Sequence, residues 1–307
     1  MQKDTEPPIV TKEYGKHVKI IVKDKTNPFY ALNNTTIIRR STPIFINATD
    51  YPEDDYVGIK QIFWSFDGIS WWGELFGENG TGPRTAGVIV SAGSLPGEGL
   101  YQIFYYATDW LEHASKQRKQ QFFIDETAPE TSIEMACNGT LPVNITVRAE
   151  DNMAGICNVS LYFRYSPDNV TWSKWNRVGY VLLNCTEWKY EDLWLNYTWQ
   201  FIYNPDGEYY KPGYYEFYVY AEDKLGNAKD NPEITNVTAE ARCYVAPIAE
   251  DFNADGHVDV YDLLNIINNW GIDESSPEWE EVQQYDLDNS GDIGLGDLIA
   301  LIKEWTG

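Results

Sequence analysis

Gly99-Leu-Tyr-Gln-Ile-Phe-Tyr-Tyr-Ala-Thr-Asp109 comes back later in the chain as Gly213-Tyr-Tyr-Glu-Phe-Tyr-Val-Tyr-Ala-Glu-Asp223. Upstream of each copy a second pair corresponds. Asn47-Ala-Thr-Asp50 followed by Gly58-Ile-Lys-Gln-Ile-Phe-Trp-Ser-Phe-Asp-Gly-Ile-Ser-Trp71 matches Arg148-Ala-Glu-Asp151 followed by the Gly155–Trp172 segment. Self-similarity of this kind marks two copies of one domain. Within each copy apolar residues alternate with period two, and short runs are separated by Gly, Asn, Asp and Pro, which is how the strands of a β-sandwich read. The expected fold is therefore mainly β, with two tandem β-sandwiches over 1–127 and 128–248. The stretch Asp125-Glu-Thr-Ala-Pro-Glu-Thr131 reads as the spacer between them, and Thr5-Glu-Pro-Pro-Ile-Val-Thr11 as a spacer of the same kind.

Composition agrees with this. The 307 residues allow two or three domains, and the aromatic share is 15%, with 22 Tyr and 12 Trp, which suits broad rings on half-buried pleated surfaces. The formal net charge is −24, with no basic run, so phosphate-lined partners are repelled and nucleic-acid binding is excluded as an expectation. No apolar run reaches the roughly 18 residues that span a bilayer. The opening MQKDTEPP carries no signal-like apolar stretch, which sets the expectation of a removed signal or of a piece of a longer array.

Eleven Asn-x-Ser/Thr sequons, at Asn33, Asn34, Asn47, Asn79, Asn138, Asn144, Asn158, Asn169, Asn184, Asn196 and Asn236, all precede residue 237. This fits an exported, glycosylated, extracellular or cell-surface chain. The four cysteines show no CxxC spacing or histidine neighbour, so disulfides are favoured over metal or redox chemistry. Three pairings are open. Cys137 with Cys243 and Cys157 with Cys185 is preferred, because the first would clip together the two ends of one domain.

The Tyr-Ala-x-Asp strand, the Asp-Gly-x-x-Trp turn and the Thr-Ala-Pro spacer resemble the immunoglobulin-like repeats of archaeal and bacterial surface proteins over about residues 8 to 245. That resemblance implies spacer, stalk or adhesive roles.

The end of the chain has a different character. From Asp251 onward there are fourteen Asp or Glu against one Lys, more than half the net charge, for which divalent cations are the natural counter-ions. Asp251-Phe-Asn-Ala-Asp-Gly-His-Val-Asp-Val-Tyr-Asp262 has the spacing of a twelve-residue calcium loop. Asp251, Asn253, Asp255 and Asp262 would coordinate, His257 would offer its carbonyl, and Asp259 would reach the ion directly or through water; Gly256 permits the sharp turn. The pattern returns as Asp286-Leu-Asp-Asn-Ser-Gly-Asp-Ile-Gly-Leu-Gly-Asp297, with Asp286, Asp288, Ser290, the Asp292 carbonyl and Asp297 in matching places. Gly294 supplies no oxygen at position 9 and Ser290 is uncharged, so weaker calcium binding is expected in the second loop.

One amphipathic helix follows each loop. Leu263, Ile266, Ile267 and Trp270 correspond to Leu298, Leu301, Ile302 and Trp305 at the same offset of 35 and at i, i+3, i+4, i+7 spacing, one apolar stripe on each helix. Ser276 is placed to cap a short connecting helix from Pro277. Two loop-plus-exit-helix units in tandem resemble a type I dockerin over residues 249–307. The resemblance implies two Ca²⁺ ions and a cohesin-type protein partner bound through the helices and loop positions 10 and 11, here Val260, Tyr261, Leu295 and Gly296. Because Val-Tyr and Leu-Gly differ, the face bearing Tyr261 is expected to dominate.

Three other readings fit parts of the same sequence. The calcium module could pack on its own or a neighbouring sandwich in a surface-layer or filament subunit, with other copies of the chain as partners. Trp71, Trp72, Trp172, Trp175, Trp188, Trp194 and Trp199 could serve a carbohydrate-binding accessory region of an enzyme, although packing is the commoner use of Trp. Asp50, Asp54, Asp55, Asp109, Asp151 and Asp223 could bind calcium at sandwich tips, although turn stabilisation is commoner. His17, His113 and His257 show no ligand spacing. No nucleophile, metalloprotease or phosphate-loop motif is present, so no catalytic residue and no enzyme activity are expected.

Overall fold

The computed structural model of the chain describes residues 4–53, 56–139, 141–202, 211–253 and 257–305. Asp54, Asp55, Asp255 and Gly256 lie outside the described residues.

The first half holds β1 (Ile9–Tyr14), β2 (Val18–Lys19), β3 (Thr36–Ile38), β4 (Pro43–Thr49), β5 (Ile59–Ser65), β6 (Trp72–Leu75), β7 (Thr85–Ser91), β8 (Gly99–Asp109) and β9 (Arg118–Ile124). They form a β1-β4-β7 sheet facing a β2-β3-β9-β8-β5-β6 sheet. The second half holds β10 (Glu130–Met135), β11 (Val143–Glu150), β12 (Ile156–Ser166), β13 (Asn176–Leu182), β14 (Trp194–Phe201), β15 (Gly213–Asp223) and β16 (Ala241–Val245), in sheets β10-β11-β14 and β13-β12-β15-β16. The strand orders superimpose: β10, β11 and β14 repeat β1, β4 and β7, while β13, β12, β15 and β16 repeat β6, β5, β8 and β9. The first copy adds β2 and β3, with β3 joined parallel to β9 through the Thr36–Phe122 register.

Alternation places the core. Val143, Ile145 and Val147 of β11 meet Leu161, Phe163, Phe217 and Val219 of the opposite sheet, and in the first copy Ile44 and Ile46 meet Ile62, Ile103 and Phe122. β15 is buried on both faces over much of its length: Tyr215, Phe217 and Val219 lie in the core, while outward Glu216 and Tyr218 are covered by Arg164, Arg242 and Trp175.

The repeated motifs have local causes. Asp67 Oδ1 accepts the N–H groups of Ile69 and Ser70 at 2.8 and 2.7 Å, and Asp168 Oδ1 those of Val170 and Thr171 at 2.9 and 2.8 Å. Gly68 and Asn169 take the left-handed conformation that such a turn needs, φ 74° and 59°. These bonds hold the Asp67 carboxyl well below the usual carboxylate range and Asp168 at about 2.

Two disulfides, Cys137–Cys243 and Cys157–Cys185, lie in the second sandwich, with Cα separations of 5.6 and 4.8 Å.

The two sandwiches are not joined by a free spacer. Val18, Ile20, Val22 and Ile37 of the first pack with Met153, Ala154, Trp188, Leu193 and Leu225 of the second in one buried cluster. Trp188 packs against Phe29, the rings tilted by 54° with centroids 5.3 Å apart, and its indole N–H donates to Met153 O at 2.8 Å. The excursion between β1 and β4 supplies one side of this contact, so the extra strands of the first copy act as a buttress. Beneath it the fully buried Lys224 pairs with Asp192 and donates to the Glu187 carbonyl. Trp188→Ala is expected to cost about 3–5 kcal/mol, the usual range for a buried Trp truncated to Ala. In urea denaturation it should split one cooperative unfolding transition into two; a single, undisplaced transition would refute the coupling.

Candidate calcium and docking site

The last stretch forms α1 (Val260–Asn268), α2 (Trp279–Val282) and α3 (Leu295–Lys303). Asp259 caps α1, its Oδ1 accepting the Tyr261 N–H at 2.8 Å, and Asp262 completes a capping box by accepting the Asp259 N–H at 2.9 Å. Beyond the C-cap Asn269 the chain turns away at Gly271, where φ is 83°. α2 starts at Trp279, later than the sequence suggested, because the Ser276 hydroxyl turns back to accept the Asp273 N–H at 3.2 Å instead of capping forward.

Each loop is closed by its twelfth residue. Asp262 Oδ1 accepts the N–H groups of Phe252 and Asn253 at 2.7 and 3.4 Å. Asp297, fully buried, accepts those of Asp288 and Gly294 at 3.1 and 2.6 Å. In the second loop Asp286, Asp288 and Asp297 each bring a carboxylate oxygen within 4.8 Å of the others. The Ser290 hydroxyl donates to the Asp292 carbonyl at 3.0 Å, which sets two further oxygens side by side. Gly291, at loop position 6, has φ 86°. In the first loop Asp251 is buried and His257 half-buried. Carboxylates, a hydroxyl and a carbonyl, with no nitrogen or sulfur donor, fit a hard cation such as Ca²⁺. Asp259 combines its place at loop position 9 with the helix cap, a double duty that loop spacing alone does not disclose.

The second loop is tied to the segment that follows α1, and the two loops share one core. Ile293 exchanges backbone hydrogen bonds with Gly271 and Ile272 at 2.7 and 2.9 Å, and Val258, Ile293, Ile266 and Leu301 form a fully buried core ringed by Phe252, Leu263, Tyr285 and Leu298.

Residues 249–305 match the dockerin type I domain. Such domains bind calcium and dock onto cohesins, and they belong to extracellular or cell-surface modular proteins. No curated protein matches the chain. Among solved structures it is similar to the FN1–FN3 domains of chicken CNTN1, at 11% identity over 62% of this chain and 60% of that one, with a TM-score of 0.26. A tetra-tandem repeat from the extending region of a large adhesion protein shows 10% identity, over 77% and 50%, with a TM-score of 0.25. The chain thus spans 60% and half of the lengths of these two.

The dockerin's helices divide the apolar stripe between core and surface. Ile266 and Leu301 are core and Leu263 and Leu298 line it, but Ile267, Trp270, Ile302 and Trp305 are exposed. Val260, Leu264 and Ile267 form one outward apolar row on α1; Leu295, Ile299 and Ile302 form the corresponding row on α3. Each helix is therefore apolar on two sides, and a module this small has core enough for only one of them. Leu264 and Ile299 were missed at the sequence level; their signal is that both keep the i+4 offset from Val260 and Leu295. Tyr261 stands out at 62% exposure. Gly296, at the matching place, is half-buried, and a Cβ there would come within 1.6 Å of Asp288 Oδ2, so its smallness serves the calcium loop as arranged here.

The tryptophans of the sandwiches are largely engaged. Arg164 and Arg242 both reach the buried Glu216 while their guanidinium groups lie over Trp172 at 5.1 and 5.6 Å. Trp71 sits edge-on to Tyr106, and Trp199 crosses Gly179, where a Cβ would come within 2.5 Å of its indole nitrogen. His113 Nδ1 lies 2.8 Å from Asp109 Oδ2 and His17 Nδ1 2.7 Å from Gly15 O, both local contacts.

Proposed function

We propose that the chain is a non-catalytic extracellular or cell-surface protein of three units, 1–127, 128–248 and 249–307, which plugs its calcium-loaded dockerin into a cohesin-type partner while the two Ig-like sandwiches hold that connection away from their own attachment. Two Ca²⁺ ions fill the loops: one on Asp251, Asn253, Asp255, the His257 carbonyl, Asp259 and Asp262, the other on Asp286, Asp288, Ser290, the Asp292 carbonyl and Asp297. The observation that carries the docking reading is the pair of outward apolar rows on α1 and α3, which the dockerin's own core leaves uncovered. The face built on Val260 and Tyr261 dominates, because it offers an aromatic anchor where the other offers Leu295 and Gly296.

Titration calorimetry of the intact chain against a panel of cohesins in calcium tests this. Tyr261→Ala together with Ile267→Asp should weaken binding by about 100-fold or more, the effect of removing an interface anchor and burying a charge. Leu295→Ala together with Ile302→Asp should weaken it by about 10-fold or less. Equal losses from the two faces would overturn the asymmetry, and no binding to any cohesin would overturn the docking reading.

A further inference from the structure

Where the two sandwiches meet, Asp125, Asp151 and Asp223 point a carboxylate oxygen each into one buried spot, all within 4.8 Å of one another. Asp125 follows β9 directly, Asp151 follows β11 directly, and Asp223 ends β15, so one comes from the connection and two from the facing tip of the second sandwich. Asp125 and Asp223 are fully buried and Asp151 is 7% exposed. No ion pair engages any of the three among the described residues.

Several of their oxygens have backbone partners. Asp151 Oδ1 accepts the N–H groups of Met153 and Gly155 at 2.9 and 2.7 Å, Asp125 Oδ2 that of Ala154 at 2.9 Å, and Asp223 Oδ1 those of Leu225 and Asn227 at 2.8 Å. The Asp151 Oδ2 atom has none. Neither does Asn227 Oδ1, on a side chain 4% exposed whose amide nitrogen is committed to Asp125 O and Asp223 Oδ2 at 3.1 and 2.8 Å. A buried carboxylate oxygen without a partner, facing two more carboxylates, is costly unless a cation sits among them.

We propose that the junction between the sandwiches binds one calcium ion through Asp125, Asp151 and Asp223. The donors are oxygens only, and their spread does not exceed the roughly 4.6–5.2 Å across a calcium coordination sphere. The corresponding tip of the first sandwich also gathers Asp4, Asp109 and His113 within 4.8 Å of one another, but its oxygens are partnered, those of Asp4 by the N–H groups of Glu6 and Val57. There His113 occupies the place of Asn227 and puts its Nδ1 2.8 Å from Asp109 Oδ2, Asp50 accepts the Tyr51 and Gly58 N–H groups, and none of these oxygens is left without a partner. The junction ion would lock the connecting segment to the second sandwich, which makes calcium a stiffener of the chain as well as a dockerin cofactor.

The test uses the full chain with its dockerin loops silenced by Asp251→Ala, Asp262→Ala, Asp286→Ala and Asp297→Ala, so that its outcome is separate from that of cohesin docking. Equilibrium dialysis with calcium should find one ion per chain, and adding Asp151→Asn should weaken that binding by about 100-fold or more. Asparagine keeps the shape and the two backbone hydrogen bonds while turning a donor toward the other acids, so this variant is expected to fold. Independently of any junction mutation, calcium should raise the melting midpoint of the silenced chain by about 5 °C over chelator. No bound ion, an ion indifferent to Asp151→Asn, or a midpoint indifferent to calcium would each overturn the proposal.

Discussion

Stripping calcium from the intact chain is expected to unfold the dockerin and to abolish cohesin binding, with at least about a 1,000-fold loss of affinity, while the sandwiches keep their fold. Among the described residues the dockerin has four fully buried apolar side chains, Val258, Ile266, Ile293 and Leu301, too few to hold a unit of its size against chain entropy. Its acids make matters worse without an ion: Asp286, Asp288 and Asp297 crowd within 4.8 Å. Far-UV circular dichroism should lose the signal of α1 and α3 on chelation and regain it with calcium. A helical signal and cohesin binding that survive chelation would sink the account. Within the module the two loops should differ. Asp262→Ala strands the N–H groups of Phe252, Asn253 and Asp259 and also breaks the α1 capping box, whereas Asp297→Ala strands those of Asp288 and Gly294 in a loop already poorer in oxygen. The first substitution should therefore cost more calcium affinity than the second, and calcium release should begin at the second loop.

The second large effect is expected from opening Cys137–Cys243. That bond is separated by 106 residues, against 28 for Cys157–Cys185. In the chain-entropy account the loops restrict the unfolded state by about 4.8 and about 3.6 kcal/mol respectively. Cys137→Ser with Cys243→Ser should thus lower the stability of the second sandwich by about 4–5 kcal/mol, more than the same change at Cys157 and Cys185. Cys243 is buried in the sandwich core beside Val245, so its replacement also forfeits packing. Denaturant midpoints of the two double variants provide the comparison; the reverse order of effects would contradict the entropic assignment.

Much of this architecture was readable in the residues because it is written locally. Two copies of a strand ending in Ala-x-Asp, and two loops with oxygen donors at fixed spacing, need no tertiary information. What escaped was set by which surfaces meet. The i, i+3, i+4, i+7 pattern identified an apolar side of α1 and α3 but did not say that Ile267 and Ile302 face away from the core while Leu263 and Leu298 line it. Asp125 stood in a stretch rich in Pro, Thr and Glu that reads as a spacer, and only the approach of Asp151 and Asp223 from another domain makes it part of a buried cluster. The buttress between β1 and β4 has no counterpart in the second copy, so comparison of the repeats could not reveal it. Asp151 and Asp223 were read chiefly as turn residues, and their hydrogen bonds to Met153, Gly155, Leu225 and Asn227 agree with that; the unpartnered oxygen is what the turn role leaves over.

The Cys137–Cys243 bond also has a mechanical meaning. A pull exerted through a docked dockerin enters the second sandwich along β16, and at Cys243 it meets a covalent crossing to Cys137, just beyond the end of β10. Tension then leaves by way of β10 toward the first sandwich, and the strands from β11 to β15 lie outside the loaded path. Such a sandwich lengthens little under force, so a tether built on it transmits load without paying out slack.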